Sequence, residues 1–188
     1  MGSIIQKIIS QHVSCINEIL SKEEQIIRIS EICVDSISKG GKLIFCGNGG
    51  SAADSIHISS EFVGKFQKKR KALPAISLNE NISSITSIAN DYGYEFIFSR
   101  QIEGLGSQND ILFGLSTSGN SENVIQGLTS AKELGIKTIG MTGKKIGRMA
   151  KIDANELIII DSDNTARIQE AHLLIGHIIC QYVENKLF

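Results

Sequence analysis

Short apolar runs alternate with longer amphipathic stretches through most of this chain. The runs at 42–47, 72–78, 110–115, 137–141 and 156–161 are too short for helices, and glycine or polar turn residues bound them. They read as strands buried on both faces. Between and after them, 51–63, 82–90, 95–105, 122–134 and 166–186 carry apolar residues at helical spacing. Strand–helix alternation predicts βαβ units, hence a doubly wound α/β fold around a parallel sheet with helices on both faces. Pro74 falls at the start of a strand, where its missing N–H does least harm.

Residues 1–40 precede the first strand and read as two helices. Ile4, Ile5, Ile8, Ile9, Val13, Ile16, Ile19 and Leu20 make the apolar stripe of the first. Ser21 followed by Glu24 has the form of a capping box for the second, and Gly40-Gly41 ends it. No linker, low-complexity tract or tandem repeat interrupts the chain. The expectation is one domain over 1–188, with 1–40 suited to oligomerisation and 41–188 forming the α/β core.

Composition removes several classes of function. With 41% hydrophobic and 21% charged residues the chain is globular rather than disordered. A net charge of -1 gives no basic footprint for nucleic acid, and the run KFQKKRK at 65–71 reads as a solvated loop. No apolar run approaches the roughly 20 residues of a membrane span. The N-terminal segment lacks a signal peptide's apolar region, and Gln6 stands where a myristoylation signal needs Ser or Thr. Cys15, Cys33, Cys46 and Cys180 are widely spaced without a CxxC pair, so reduced thiols in the cytoplasm are expected.

Two loops stand out, CGNGGSAADS at 46–55 and LSTSGNSENV at 115–124. Each runs from a strand through small polar residues into a helix. Ligands of open parallel sheets bind beyond the carboxyl ends of the strands, where helix N-termini offer free N–H groups and partial positive charge. Taken singly, each loop has a plainer reading: Gly49-Gly50 makes a turn, and Ser51 with Asp54 caps a helix. Two such loops together, with Asn48, Ser51, Ser116, Thr117, Ser118 and Ser121, favour a bound phosphate monoester. Neither loop matches GxGxxG or GxxxxGK[ST], and neither holds a lysine, which argues against a dinucleotide or a triphosphate.

His57 and Glu61 lie four apart and share a helix face. Gln169 and His177 lie eight apart on the last helix, about 80° around its axis, so both reach one side. Their neighbours Ile168, Leu173, Leu174, Ile175, Ile178 and Ile179 are apolar, and a polar stripe among them needs partners wherever it is buried. Spacing alone leaves the plainer reading of satisfied core residues open for each. It also leaves His172 as an alternative to His177, and it shows no zinc-motif spacing.

The segments GNGGSAADSIHISSEFVGKF, IANDYGYEFIFSRQIEGLG, LSTSGNSENVI and ARIQEAHLLIGHIICQYVE together resemble the successive motifs of the phosphoheptose isomerases, a family of the sugar isomerase (SIS) domain class. The resemblance runs over nearly the whole chain. It implies a five-stranded parallel sheet flanked by helices, and a homotetramer with active sites at subunit interfaces. It implies isomerisation of the sugar phosphate sedoheptulose 7-phosphate to D-glycero-D-manno-heptose 7-phosphate for lipopolysaccharide heptose. By resemblance, His57, Glu61, Gln169 and His177 bind Zn2+, and Glu61 with His177 forms the catalytic pair. Ser51, Ser116, Thr117, Ser118 and Ser121 hold the phosphate, Asp91 contacts substrate, and Asn48, Gly49, Gly50 and Gln169 complete the substrate site. Lys65 stands where some members have Arg, and Thr165-Ala166 precedes Arg167 where some place an acid. The rival reading is a non-catalytic SIS-domain protein, either a replication-initiator-associating factor or a sugar-phosphate sensor. The Glu61 and His177 pair favours the enzyme. No partner nucleic acid and no membrane is expected.

Overall fold

The computed structural model describes residues 2–188. Five strands, β1 (Leu43–Gly47), β2 (Ala75–Ser77), β3 (Ile111–Ser116), β4 (Lys137–Gly143) and β5 (Glu156–Ile160), form one sheet in the order β2-β1-β3-β4-β5. Every pairing is parallel. The helices are α1 (Ile4–Glu18), α2 (Glu23–Ser38), α3 (Gly50–Val63), α4 (Ile82–Asp91), α5 (Ser99–Leu105), α6 (Glu122–Glu133) and α7 (Thr165–Leu187).

Alternation along the strands separates two cores. Leu43, Phe45, Phe113, Ile139, Met141 and Ile158 point to one face, where Ile29 of α2, Phe62 of α3 and Ile175 of α7 pack on them. Ile44, Cys46 and Leu112 point to the other, against Ile102 of α5 and Val124 and Leu128 of α6. This is the doubly wound sheet expected from the alternating pattern, with α1 joined to the α7 side through Cys15 and Ile16. Strand order reverses between β1 and β3, which places a ligand-binding crevice at the carboxyl ends of these two strands. Among the described residues no helix is long and apolar enough to cross a membrane.

Four local expectations change. The second strand is three residues rather than 72–78, because it is a sheet edge with a single partner, and Pro74 lies just before it, accepting from the Leu43 N–H at 3.0 Å. Ser21 caps nothing. It sits in a 3₁₀ turn, Ile19–Lys22, and its hydroxyl donates to the Glu18 carbonyl at 2.7 Å, while α2 starts at Glu23 without a side-chain cap. The capping box belongs to Ser3 and Gln6 at the start of α1. The stretch 95–105 divides into a 3₁₀ turn, Tyr94–Phe96, and α5. The run 65–71 is not simply a solvated loop: the Arg70 side chain is fully buried against Glu184 of α7.

Candidate active site

The first loop leaves β1 at Gly47 and enters α3 at Gly50. Gly49 holds φ +57, a left-handed conformation that suits glycine. Ser51 lies inside the first turn of α3, buried, and is not its cap. Gly50 is pressed against Gln169 so closely that a Cβ there would come within 2.5 Å of the carboxamide. The second loop leaves β3 at Ser116. Its hydroxyl donates to Ser121 Oγ at 2.9 Å and accepts from the Ser121 N–H at 3.4 Å, closing the loop on itself. Gly119, at φ +65, has no room for a side chain, since a Cβ would stand 1.6 Å from the Ile146 carbonyl oxygen.

The two loops are tied together. Gly47 and Leu115 are paired neighbours at the ends of β1 and β3. Beyond them the Asn48 and Asn123 carboxamides exchange two hydrogen bonds of 2.8 Å, and the Tyr94 hydroxyl donates to Asn48 Oδ1 at 3.0 Å. Between the loops opens a cavity of about 360 Å³, lined by Asn48, Gly49, Gly50, Ser51, Leu115, Ser116, Thr117, Ser121, Thr165 and Gln169. Three helices begin on it: α3 at Gly50, α6 behind its cap residue Ser121, and α7 at Thr165. Their N-termini bring free N–H groups and partial positive charge to one hollow, an arrangement for an anion.

Most of the expected phosphate residues thus meet in one place. Ser118 lies in an adjoining hollow of about 120 Å³ with Lys145, Ser162 and Thr165. Asp91 lines a separate cavity of about 650 Å³ between α4 and α5, and accepts from Asn90 Nδ2 at 2.7 Å. Asn123 and Tyr94 carry no role in the sequence reading, and Thr165 enters it only as a departure from the family pattern. Asn123 lay just outside the serine-rich part of its loop, and Tyr94 acts through a contact 46 residues away.

A second cluster forms where α3 and α7 cross. Ligand atoms of His57, Glu61 and His177 all lie within 4.8 Å of one another. His57 Nε2 is 3.2 Å from Glu61 Oε1, and the His57 and His177 rings meet edge-on with centroids 5.1 Å apart. The Phe66 ring stacks on His177 at 5.4 Å. Burial pulls the His177 imidazole below its ordinary pKa and the neighbouring His57 adds to this, while Glu61 opposes it. A neutral imidazole is what a ligand or a general base requires. His177 Nε2 is buried without a hydrogen-bond partner. Two imidazoles, a carboxylate and an orphaned ring nitrogen within this span fit a zinc ion by donor type. Gln169 stands about 12 Å before His177 along the axis of α7, with its carboxamide against Gly50.

His172 turns inward instead. It is fully buried, and the Thr142 backbone faces its ring without completing a hydrogen bond to either nitrogen. Burial drives its pKa down to about 4, opposed by that backbone group. Asp54, one turn before His57 on α3, is a half-buried carboxyl pushed up to about 6 by burial, with His57 opposing. Its register with His57 and Glu61 (i, i+3, i+7) was the available signal that it faces the same side.

Comparison with known proteins agrees with this fold. The SIS domain family matches over residues 9–143. The phosphoheptose isomerase of Clostridium acetobutylicum is 53% identical over 165 residues, 88% of this chain and 84% of that protein. That of Campylobacter jejuni is 44% identical over 185 residues, 98% of this chain and 99% of that protein. The structure of a phosphoheptose isomerase from Francisella tularensis superposes with a TM-score of 0.87 at 33% identity, covering 98% of this chain and all of that one.

Proposed function

We propose that this chain, which belongs to the phosphoheptose isomerase family of SIS-domain proteins, is an aldose–ketose isomerase that converts sedoheptulose 7-phosphate to D-glycero-D-manno-heptose 7-phosphate. The observation that carries the reading is the meeting of Glu61 and His177, from two different helices, in one cluster with His57. The cluster and the anion cavity share α7, with about 12 Å of helix between Gln169 and His177. An extended seven-carbon ketose phosphate bridges such a span, its phosphate at one end and its reacting carbons at the other.

In this reading Ser51, Ser116, Thr117 and Ser121 take the phosphate with the three helix N-termini, and Gln169 and Asn48 orient the sugar. Isomerisation moves a proton between adjacent carbons through an enediol. It needs a base at the carbon and a proton carrier at the oxygens. Glu61 and His177 fill these roles, His177 entering as the neutral base that its burial favours. His57, Glu61 and His177 would hold zinc, which when bound supplies Lewis-acid polarisation of the substrate carbonyl. Gln169, set against Gly50, serves the substrate in this scheme.

We assign the exposed apolar stripe of α1 (Ile4, Ile5, Ile8, Ile9 and Val13) to the interfaces of a homotetramer, and Asp91 to the site of a neighbouring chain. The reaction belongs in the cytoplasm, in the supply of lipopolysaccharide heptose. Incubation of the pure protein with sedoheptulose 7-phosphate, with and without a chelator, tests the assignment. Appearance of the aldose phosphate is expected, and its absence from metal-replete protein would overturn the activity.

A further inference from the structure

Arg70 and Glu184 form an ion pair whose side chains are 0% and 1% exposed. Arg70 Nε donates to Glu184 Oε1 at 2.8 Å. Its two remaining arms reach the end of α3: Nη2 donates to the Glu61 carbonyl and Nη1 to the Phe62 carbonyl, each at 2.8 Å. These carbonyls are among the last of α3, which lack helical partners of their own. Glu184, on α7, accepts the N–H groups of Phe66, Gln67 and Lys68 at 3.3, 2.9 and 2.8 Å. The pair therefore knots three pieces: the last turn of α3, the loop that follows it, and α7.

Each of those pieces carries part of the site. Glu61 stands on the last turn of α3 and His177 stands two turns before Glu184 on α7. Phe66, in the clamped loop, stacks on the His177 ring. Stability alone is a poor reason for such a pair, because buried ion pairs are often matched or surpassed by apolar replacements; their better-attested use is to fix one arrangement. Arg suits the task, since its planar fork meets a carboxylate and two carbonyls at once.

We propose that Arg70 and Glu184 are positioning residues for the isomerase reaction: together they set the distance between Glu61 and His177 and hold Phe66 against His177. The inference rests on the isomerase reading above. A displacement of about 1 Å in a catalytic group costs up to about 10²-fold in rate, so a loosened clamp lowers turnover while the distant phosphate cavity still binds.

The test compares Arg70→Lys, Glu184→Gln and Phe66→Leu with wild type, all as purified full-length protein. Three quantities are read: kcat and KM with sedoheptulose 7-phosphate, and the NMR shift of the His177 ring protons, which Phe66 stacking moves upfield. Expected in the ion-pair variants are a fall in kcat of at least about 10-fold, KM within about 3-fold of wild type, and loss of the upfield shift. Wild-type kcat in folded ion-pair variants, or a loss of activity that follows the unfolded fraction while the His177 shift persists, overturns the clamp. Phe66→Leu serves only to assign the shift to the Phe66 ring. If both ion-pair variants fail to fold, Glu184→Asp decides, since it keeps the charge but draws the carboxylate back by one methylene. Wild-type kcat with an unmoved His177 shift there overturns the clamp. If wild type is inactive on this substrate, the activity assignment fails on its own and the His177 shift still judges the clamp.

Discussion

Glu61 and His177 meet across the seam of α3 and α7, and nothing in the packing of either helix demands that the two be matched. If they share one proton-transfer step, Glu61→Gln and His177→Gln should each lose at least about 10²-fold in kcat. The double variant should lose little more than the worse single one, because residues acting as a unit are non-additive. Steady-state kinetics of the three proteins decide it, and fully multiplicative losses would argue for separate roles. His172, on the same helix, makes the contrast. His172→Gln should keep substantial activity, and its effect should appear in stability instead. Its folded pKa of about 4 lies below the ordinary 6.5, so between those values the unfolded chain binds the proton that the folded chain refuses. Stability from this group is therefore complete above pH 6.5 and is lost as pH falls toward 4. Urea titrations across that window should show wild type losing on the order of 3 kcal/mol more than His172→Gln. Parallel curves would show that His172 is protonated equally in both states.

At the scale of elements, the site is two loops and two helices brought to the ends of adjacent strands. Ser51→Ala or Thr117→Ala should weaken substrate binding by about 1–3 kcal/mol, the cost of leaving polar groups unpaired, and should raise KM with kcat less affected. Gly50→Ala tests the same hollow from the other side. Its Cβ would collide with Gln169 at 2.5 Å, so the carboxamide must move and KM should rise again; unchanged constants in all three variants would remove the phosphate from this cavity. The elements were legible because their signals are local: β1 and β3 are apolar runs closed by turn residues, and α3 and α6 begin at loops of small polar residues. The His57 and Glu61 pair was legible by its spacing of one turn. What the sequence hid is non-local. The choice between His172 and His177 depends on which face of α7 meets α3. The burial of Arg70 depends on Glu184, 114 residues away, and so a run of like charges passed for a solvated loop. Ser21 failed as a cap because its hydroxyl had a nearer acceptor in the Glu18 carbonyl.

For the molecule as a whole, the exposed isoleucines of α1 leave a single chain with an apolar face on one side of its helical layer. The proposed homotetramer covers it. Light scattering at micromolar concentration should give four times the 20.4 kDa chain mass, and Ile5→Glu with Ile9→Glu should shift the particle to smaller species. A wild-type monomer would remove the case for shared sites. The four cysteines bear on the molecule differently. All are buried free thiols, one each in α1, α2, β1 and α7, and burial pushes the Cys180 thiol up to about 12. A protonated, enclosed thiol does not react, so a colourless aromatic disulfide added to the native protein has to wait for the chain to open. The molecule has no tryptophan to report its own unfolding by fluorescence, yet it holds these four chemical clocks in four different elements. Cys15, 7% exposed within its own chain, should be modified first once the subunits separate, while Cys33 and Cys46, fully enclosed, should keep time with global unfolding. Mass spectrometry of timed samples would read the order in which the layers separate, and simultaneous modification of all four would mean that the helices and the sheet open as one.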